Sequence, residues 1–479
     1  MGRTTFSFLL AVAIMASNWS QPLLGLADEL DDVLGGFEDT ALPVEQELLD
    51  EELSGFSDDL DLVGQAEKKA SIGSSGLPLW LDLSGGLTLA TSYNFSHSAP
   101  DQGQTDQRGF SRLRSSLDLT ADLKLPGSWQ ARLAGKGAYD AVYSLRGRGN
   151  YSQEVLDQYE QEAEFTEVYL QGSLAPNLDL KIGRQVVVWG KSDNIRVTDI
   201  LNPLDNREPG LVDIKDLRLP VSMSKVDYYM GEWNLSALLI HEVRFSKTPV
   251  YGNDFFPGLS PLPSEEIPDA SLGDQYGLAL NGIFSGWDLS LYGARIFQDQ
   301  AYLENTTQGP RLQHDRITML GAATNVAIGN WLFKGEAAFL DGLHYSIDLG
   351  DKQRLDLLVG AEYTGFSETV LSMEMVNRRI LDFDDRLRQS PVYGQEDEFQ
   401  YVLRLNKDFK NDTLHLTGLV SMFGLGGEDG AFQRLSLKYD WSDALSSTMG
   451  LITYQNGEMA MFHNISDNDR LFCELRYSF

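Results

Sequence analysis

Leu113-Arg-Ser-Ser-Leu-Asp-Leu-Thr-Ala-Asp-Leu-Lys-Leu125 alternates apolar and polar side chains along most of its length. Leu113, Leu117, Leu119, Ala121, Leu123 and Leu125 share one face, while Arg112, Arg114, Asp118, Thr120, Asp122 and Lys124 share the other. A period of two predicts a β-strand with unlike faces. Strands of soluble domains usually run about 5–6 residues. A tilted strand crossing a bilayer takes about 9–11. The same alternation recurs at 399–409, where Phe399, Tyr401, Leu403, Leu405 and Phe409 oppose Gln400, Arg404, Asn406 and Asp408. It recurs again at 433–441, where Leu435, Leu437, Tyr439 and Trp441 oppose Arg434, Ser436, Lys438 and Asp440. In a membrane the apolar face of each strand meets lipid and the polar face looks into a lumen.

Working outward from these segments, about eighteen strands fit between residues 79 and 479, with sixteen as the alternative count. Their connections alternate short and long. The short ones are Pro126–Ser128, Pro176-Asn177, Gly231-Glu232, Ser285-Gly286, Gly329-Asn330, Gly365–Ser367, Lys410–Asp412 and Ser442–Ala444. The long ones are 97–109, 146–160, 194–221, 246–273, 304–313, 343–352, 380–398, 424–430 and 456–468. Strict alternation of turns and long loops is the rhythm of an outer-membrane barrel, with the turns on the periplasmic side. The expected fold is therefore an all-β transmembrane antiparallel barrel over 78–479.

Two further features agree. Beyond residue 27 there are seven tryptophans, and six of them (Trp80, Trp129, Trp233, Trp287, Trp331 and Trp441) lie beside the short turns. An amphipathic ring belongs at a membrane interface, so these form one girdle. At the C-terminus Leu471, Cys473, Leu475, Tyr477 and Phe479 alternate with Phe472, Glu474, Arg476 and Ser478. Tyr477 and the final Phe479 resemble the signature that the barrel-assembly machinery recognises in bacterial outer-membrane proteins.

The N-terminal residues read as export and an arm. Arg3 followed by the apolar run Phe6–Ala16, with Gly25 and Ala27 as the small residues before Asp28, predicts a signal peptide over 1–27. Between Asp28 and Lys69 there are 15 acidic residues and two basic ones. Such like charge keeps a segment from folding alone. Within this arm, 28–77, Leu30–Asp39 repeats nineteen residues later as Leu49–Asp58, sharing L-D-acidic-x-L-x-G-F-x-D. The repeated anchors Leu30, Leu34 and Phe37, then Leu49, Leu53 and Phe56, suit a twin motif that folds on docking to a periplasmic or inner-membrane transporter partner. A solvated linker is the simpler reading of the same residues. The whole chain carries 38 basic and 70 acidic residues, net −32, which argues against nucleic acid as a partner. With one cysteine, Cys473, no disulfide can form within the chain.

Inside the barrel, parity places mixed charges such as Asp118, Asp122, Arg132, Lys334, Glu336, Arg404, Arg434 and Arg476. That mixture suits either a water-filled channel or a salt-bridged, plugged lumen. The most informative stretch is 181–221. Strand Lys181–Lys191 holds Trp189, the one tryptophan away from the girdle, and leads into the long connection 194–221. Loops of that length usually carry function or are disordered. Its Ile200, Leu201, Leu204, Leu211, Leu217 and Leu219 would be costly on an outer surface, so it is expected to fold into the barrel mouth as a constriction, with an extracellular cap as the alternative. Strict parity would leave Arg184 on the lipid side, so an irregularity is expected there.

Gly183-Arg184-Gln185, then Trp189-Gly190, an acidic Asp193, and Asn202-Pro203-Leu204-Asp205 ahead of Arg207 resemble a Gram-negative outer-membrane barrel family of unknown function. That family is similar in outline to porin-like and alginate-export-like barrels. The resemblance implies an outer-membrane location, contact with outer-membrane lipid, and transport. It also implies that the acidic arm could dock a transporter system carrying lipid-like or hydrophobic cargo. No catalytic residues come with it. The sequence itself holds no P-loop, no G-x-S-x-G and no H-E-x-x-H, and its six histidines fall at no metal-ligand spacing. The expectation is an outer-membrane channel, without cofactor, metal or enzymatic activity, constricted by 194–221.

Overall fold

The computed structural model of the chain describes residues 78–479, apart from 101–103, 213, 259, 307–308, 346–348 and 390–393. The chain divides between Leu60 and Asp61, and all described residues belong to the second unit. The signal peptide, the acidic arm and its anchors Leu30, Leu34, Phe37, Leu49, Leu53 and Phe56 lie outside the described residues.

Eighteen strands form one antiparallel sheet in which each pairs with its neighbours along the chain. The sheet closes on itself where Leu81–Asn94 pairs with Arg470–Ser478, in register from Gly86 opposite Ser478 to Asn94 opposite Arg470. Closure leaves no strand edge unpaired, which a bilayer interior demands because it offers no water to satisfy backbone groups. The strands are 8 to 16 residues long. All eight expected turns are present at one end of the barrel, and all nine long connections at the other. One long connection carries a hairpin of its own, Tyr302–Thr306 with Gly309–Gln313, outside the barrel sheet.

The parity reading holds in the quoted strand. Leu117 and Leu119 are each 42% exposed on the outside, while Asp118 sits on the inner face, ion-paired with Arg476 at 3.1 Å. The same outward display of Leu, Val, Phe and Met runs around the barrel, as at Leu87, Leu291, Leu320, Val359, Met373, Leu403 and Met449. On a soluble surface this continuous apolar area would be a liability, and in lipid it is the favourable state. Trp233, Trp287 and Trp331 each open a strand directly after a short turn, so the girdle lies at the turn end. Tyr477 points outward, and Phe479 exchanges backbone hydrogen bonds with Gly85 at 2.8 and 3.0 Å, finishing the seam.

Two departures from the sequence reading matter. The strand expected over 181–191 ends at Gln185, so the inward connection runs from 186 to 220. Strand Leu178–Gln185 has eight residues, and Trp233–Ile240 also has eight. Tilted by about 40°, such a strand climbs roughly 20 Å, short of the apolar band. The chain therefore leaves the wall partway up, where turning inward is the way to stay out of lipid. The second departure concerns the inner wall, which is not polar all round. Met223, Ile240, Ala294, Met319, Leu340 and Leu358 form a continuous buried apolar cluster across its strands.

Candidate functional site

The apolar inner wall exists because something packs on it. Val187, Trp189, Ile195, Val197 and Leu201, all from the connection 186–220, belong to the same buried cluster as the wall residues. Burying five such side chains stabilises the docked segment by an amount on the order of 10 kcal/mol before its ordering entropy is charged. Trp189 stacks on Tyr292 of strand Trp287–Phe297, with centroids 4.9 Å apart and planes at 21°. The Tyr292 hydroxyl accepts from the Gly190 N–H at 3.2 Å.

Two wall carboxylates hold the tip of the segment. Glu336, on strand Trp331–Leu343, accepts from the N–H groups of Lys191 (2.5 Å) and Ser192 (2.7 Å) with one oxygen. Its other oxygen accepts from the Thr198 N–H (3.2 Å) and hydroxyl (2.9 Å). Glu374, on strand Thr369–Leu381, accepts from the Ser192 hydroxyl (2.8 Å) and from the N–H groups of Asp193 and Asn194, both at 3.0 Å. Both carboxylates are at least 95% buried. A buried carboxylate is tolerated only when its lone pairs are filled, and here the backbone of the segment fills them. Lys334 adds an ion pair with Asp193.

Gly190 is required for this contact. Its φ is 88°, in the region that favours glycine, and a Cβ there would sit 2.8 Å from both Glu336 oxygens. The root of the segment is fixed by Asn202, fully buried. Its Oδ1 accepts from the Val187 N–H at 2.8 Å, and its Nδ2 donates to the Leu219 carbonyl at 2.9 Å. The Pro203 carbonyl accepts from the Leu219 N–H at 2.7 Å, and Gln185 donates to the Met223 carbonyl at 3.1 Å. Asn202 and Gln185 therefore tie the segment's two ends to each other and to the wall.

The far part of the segment reaches strands distant from its own. Arg207 pairs with Asp205 and, at 3.0 Å, with Glu162, while Glu208 pairs with Arg112. The Pro209 carbonyl accepts from the Tyr454 hydroxyl at 2.7 Å, and the Gly210 carbonyl from Arg434 at 3.3 Å. A segment that leaves between Leu178–Gln185 and Val221–Met230 and touches strands Gly109–Lys124, Trp331–Leu343, Thr369–Leu381, Gly430–Asp440 and Leu445–Gln455 spans the lumen. The irregularity expected near Arg184 is present: Gly183 has φ 129°, and Arg184 reaches Glu164 at 2.8 Å and Glu242 at 3.2 Å.

The structure thus gathers Gln185, Trp189, Gly190, Asp193, Asn202, Pro203, Asp205 and Arg207 into or against one lumen-crossing segment. Sequence reasoning missed its wall partners. Glu336 was legible only as one inward charge among many, and Glu374 and Tyr292 were not singled out. The available signal was Glu374 between Met373 and Met375, a lone acid in an apolar stretch.

A family model described as "Protein of unknown function (DUF1302)" matches residues 87–479. No curated protein matches the chain in sequence. Among solved structures, Pseudomonas aeruginosa OccK9 (OpdG) is 13% identical with a TM-score of 0.50, covering 83% of this chain and 98% of that one. Acinetobacter baumannii OccAB2 is 12% identical, TM-score 0.49, with coverage of 83% and 98%. Acinetobacter baumannii OccAB1 is 11% identical, TM-score 0.49, with coverage of 86% and 99%. At such identities the likeness to OccK9 is one of fold.

Proposed function

We propose that this chain, which belongs to the DUF1302 family of proteins of unknown function, is an outer-membrane channel whose constriction is the segment 186–220. The observation that carries the reading is that segment crossing the lumen of a closed barrel and bonded to its far walls. An apolar exterior with an aromatic girdle at the turn end supports the membrane setting. A barrel of this strand number is wide enough for water unless loops fill it, so the segment decides what passes. The test is single-channel conductance of the refolded protein in a planar bilayer, beside a variant in which residues 194–212 are replaced by a short Gly-Ser linker. The native chain is expected to give a small or flickering level and the variant a large, steady one. Equal conductance, with folding verified by heat-modifiable gel mobility, would overturn the reading.

The twin motif supports a second role, docking of a periplasmic or inner-membrane transporter partner, because a linker has no need to repeat its apolar residues in register. Alanine at Leu34, Phe37, Leu53 and Phe56 would then abolish partner capture and leave conductance unchanged. In the same setting Tyr477 and Phe479 serve as the assembly signal. Loss of Phe479 would slow insertion by the barrel-assembly machinery, read as a delayed appearance of the heat-modifiable form.

A further inference from the structure

On the outside of the barrel, toward its long-loop end, three donors stand in one row. Arg295 lies opposite Tyr276 on one neighbouring strand and opposite Thr318 on the other. All three face outward and are exposed, while Ala294 and Met319 beside them are buried on the inner face. Strand Trp287–Phe297 carries Trp287 of the girdle at its other end. The rise from Trp287 to Arg295, tilted by about 40°, is roughly 20 Å. The apolar band of such a barrel is about 25 Å tall, so the row sits at the outer edge of the bilayer.

Among the described residues nothing in the chain bonds the Arg295 guanidinium or the hydroxyls of Tyr276 and Thr318. Other arginines at this end are paired: Arg316 with Asp274 at 2.9 Å, Arg379 with Glu396 at 2.7 Å and Arg108 with Asp106 at 2.8 Å. The acids near the row are engaged elsewhere. Asp274 accepts from Arg316 and from the Ser271 N–H at 2.6 Å. Asp341, opposite Thr318, accepts from Gln353 at 2.8 Å and stands two strand spacings from Arg295, about 10 Å. A cation on the lipid face is costly at mid-bilayer and tolerated at the interface, where its long stem lets the charge reach the headgroups.

The surface beneath the row suits a chain. Gly293, the next outward position below Arg295, stands between Leu278 and Leu320, which are 52% and 61% exposed. A Cβ at Gly293 would meet nothing nearer than the Leu320 side chain at 3.7 Å, so a shallow apolar furrow opens there. Exposed Leu291 continues it on the same face.

We infer that this row is a binding site for a phosphorylated outer-leaflet glycolipid of the lipid A type, its phosphate held by Arg295, Tyr276 and Thr318 and one acyl chain lying over Gly293 between Leu278 and Leu320. A guanidinium offers forked donors that match phosphate oxygens, and the two hydroxyls add donors on either side. The site lies outside the lumen and goes beyond the channel reading.

The test is native mass spectrometry of the refolded chain in neutral detergent, titrated with lipid A at constant ionic strength. Native chain is expected to take up one lipid A ahead of any further copies, and dephosphorylated lipid A about tenfold more weakly, the worth of one charged hydrogen bond. Arg295→Gln should weaken lipid A about tenfold for the same reason, while Arg379→Gln, which removes a paired arginine, should change it less than about twofold. Gly293→Leu, which fills the furrow and keeps the three donors, should also weaken lipid A. Inorganic phosphate should not displace the lipid, and displacement by it would overturn the assignment in favour of a free-anion site. Equal uptake of dephosphorylated lipid A would overturn it as well. So would equal losses in Arg295→Gln and Arg379→Gln, unchanged uptake in Gly293→Leu, or no uptake by native chain that shows the folded gel mobility. Conductance does not enter these readouts, so failure of the channel reading would leave the lipid site standing.

Discussion

Glu336→Gln tests whether the wall carboxylates hold the lumen-crossing segment in place. Native Glu336 accepts four hydrogen bonds, at 2.5, 2.7, 3.2 and 2.9 Å, from Lys191, Ser192 and Thr198. Glutamine keeps one acceptor oxygen. With that oxygen toward Lys191 and Ser192, two charged bonds become neutral ones, each weaker by about 1 kcal/mol. The Thr198 hydroxyl can turn to accept from the new NH2, but the Thr198 N–H faces a donor and is orphaned, a loss of at least about 1 kcal/mol. The total, about 3 kcal/mol against the docked state, shifts the docking equilibrium roughly a hundredfold. The strand hydrogen bonds of Trp331–Leu343 are backbone bonds and do not change. The barrel should therefore keep its heat-modifiable mobility while the segment loosens. In planar bilayers the fraction of time spent at the larger conductance should rise roughly a hundredfold, and further in the double variant with Glu374→Gln. An open fraction within twofold of native, in barrel shown to be folded, would refute the argument that these two carboxylates anchor the constriction.

Three other outcomes follow from the same geometry. Gly190→Ala places a Cβ 2.8 Å from the Glu336 carboxylate at φ 88°. It should raise the open fraction like Glu336→Gln at a strain of about 1–3 kcal/mol, and the two changes should be non-additive in bilayer recordings because they break one contact. Val359→Arg puts a charge on the lipid face at the middle of Lys352–Phe366, where Val359 is 59% exposed. It should cost about 2–4 kcal/mol in urea unfolding from lipid vesicles, against near zero for Val359→Leu. The third outcome concerns pH. Burial pushes the Asp205 carboxyl up, but its hydrogen bond to Arg207 and the charges of Arg207 and Lys247 outweigh that and hold it below its ordinary value. A lowered carboxyl stabilises its state above the ordinary value and gives that up as pH falls through the lowered one. The Asp205–Arg207 contact should thus hold from pH 8 to about 4 and give way only below it, and Asp205→Asn, recorded in planar bilayers at pH 7, should change the open fraction as loss of that contact does.

The sequence by itself determined the barrel. Alternation in strands such as Leu113–Leu125, the short-long rhythm of connections and the tryptophans at the turns are all local, and each depends on one strand meeting lipid on one side and water on the other. It also marked the segment that turns into the lumen, because Ile200, Leu201, Leu204 and Leu219 cannot sit on a wet outer loop without cost. It could not place the boundary at Gln185. Val186-Val-Val-Trp189 has a period of two whether it pairs in the wall or lies extended across the lumen, since both conformations turn alternate side chains to opposite sides. Only the tertiary structure decided that Val187 and Trp189 face the apolar inner wall. Only closure brought Glu336 and Glu374, more than 130 residues away in sequence, onto the backbone of 191–198, and Arg404 and Arg434 onto one row with Leu419. The reason is physical. Which face is apolar is written in each strand, but which inner-face residues meet is fixed by register and barrel closure, and those are properties of strand pairs that no single segment carries.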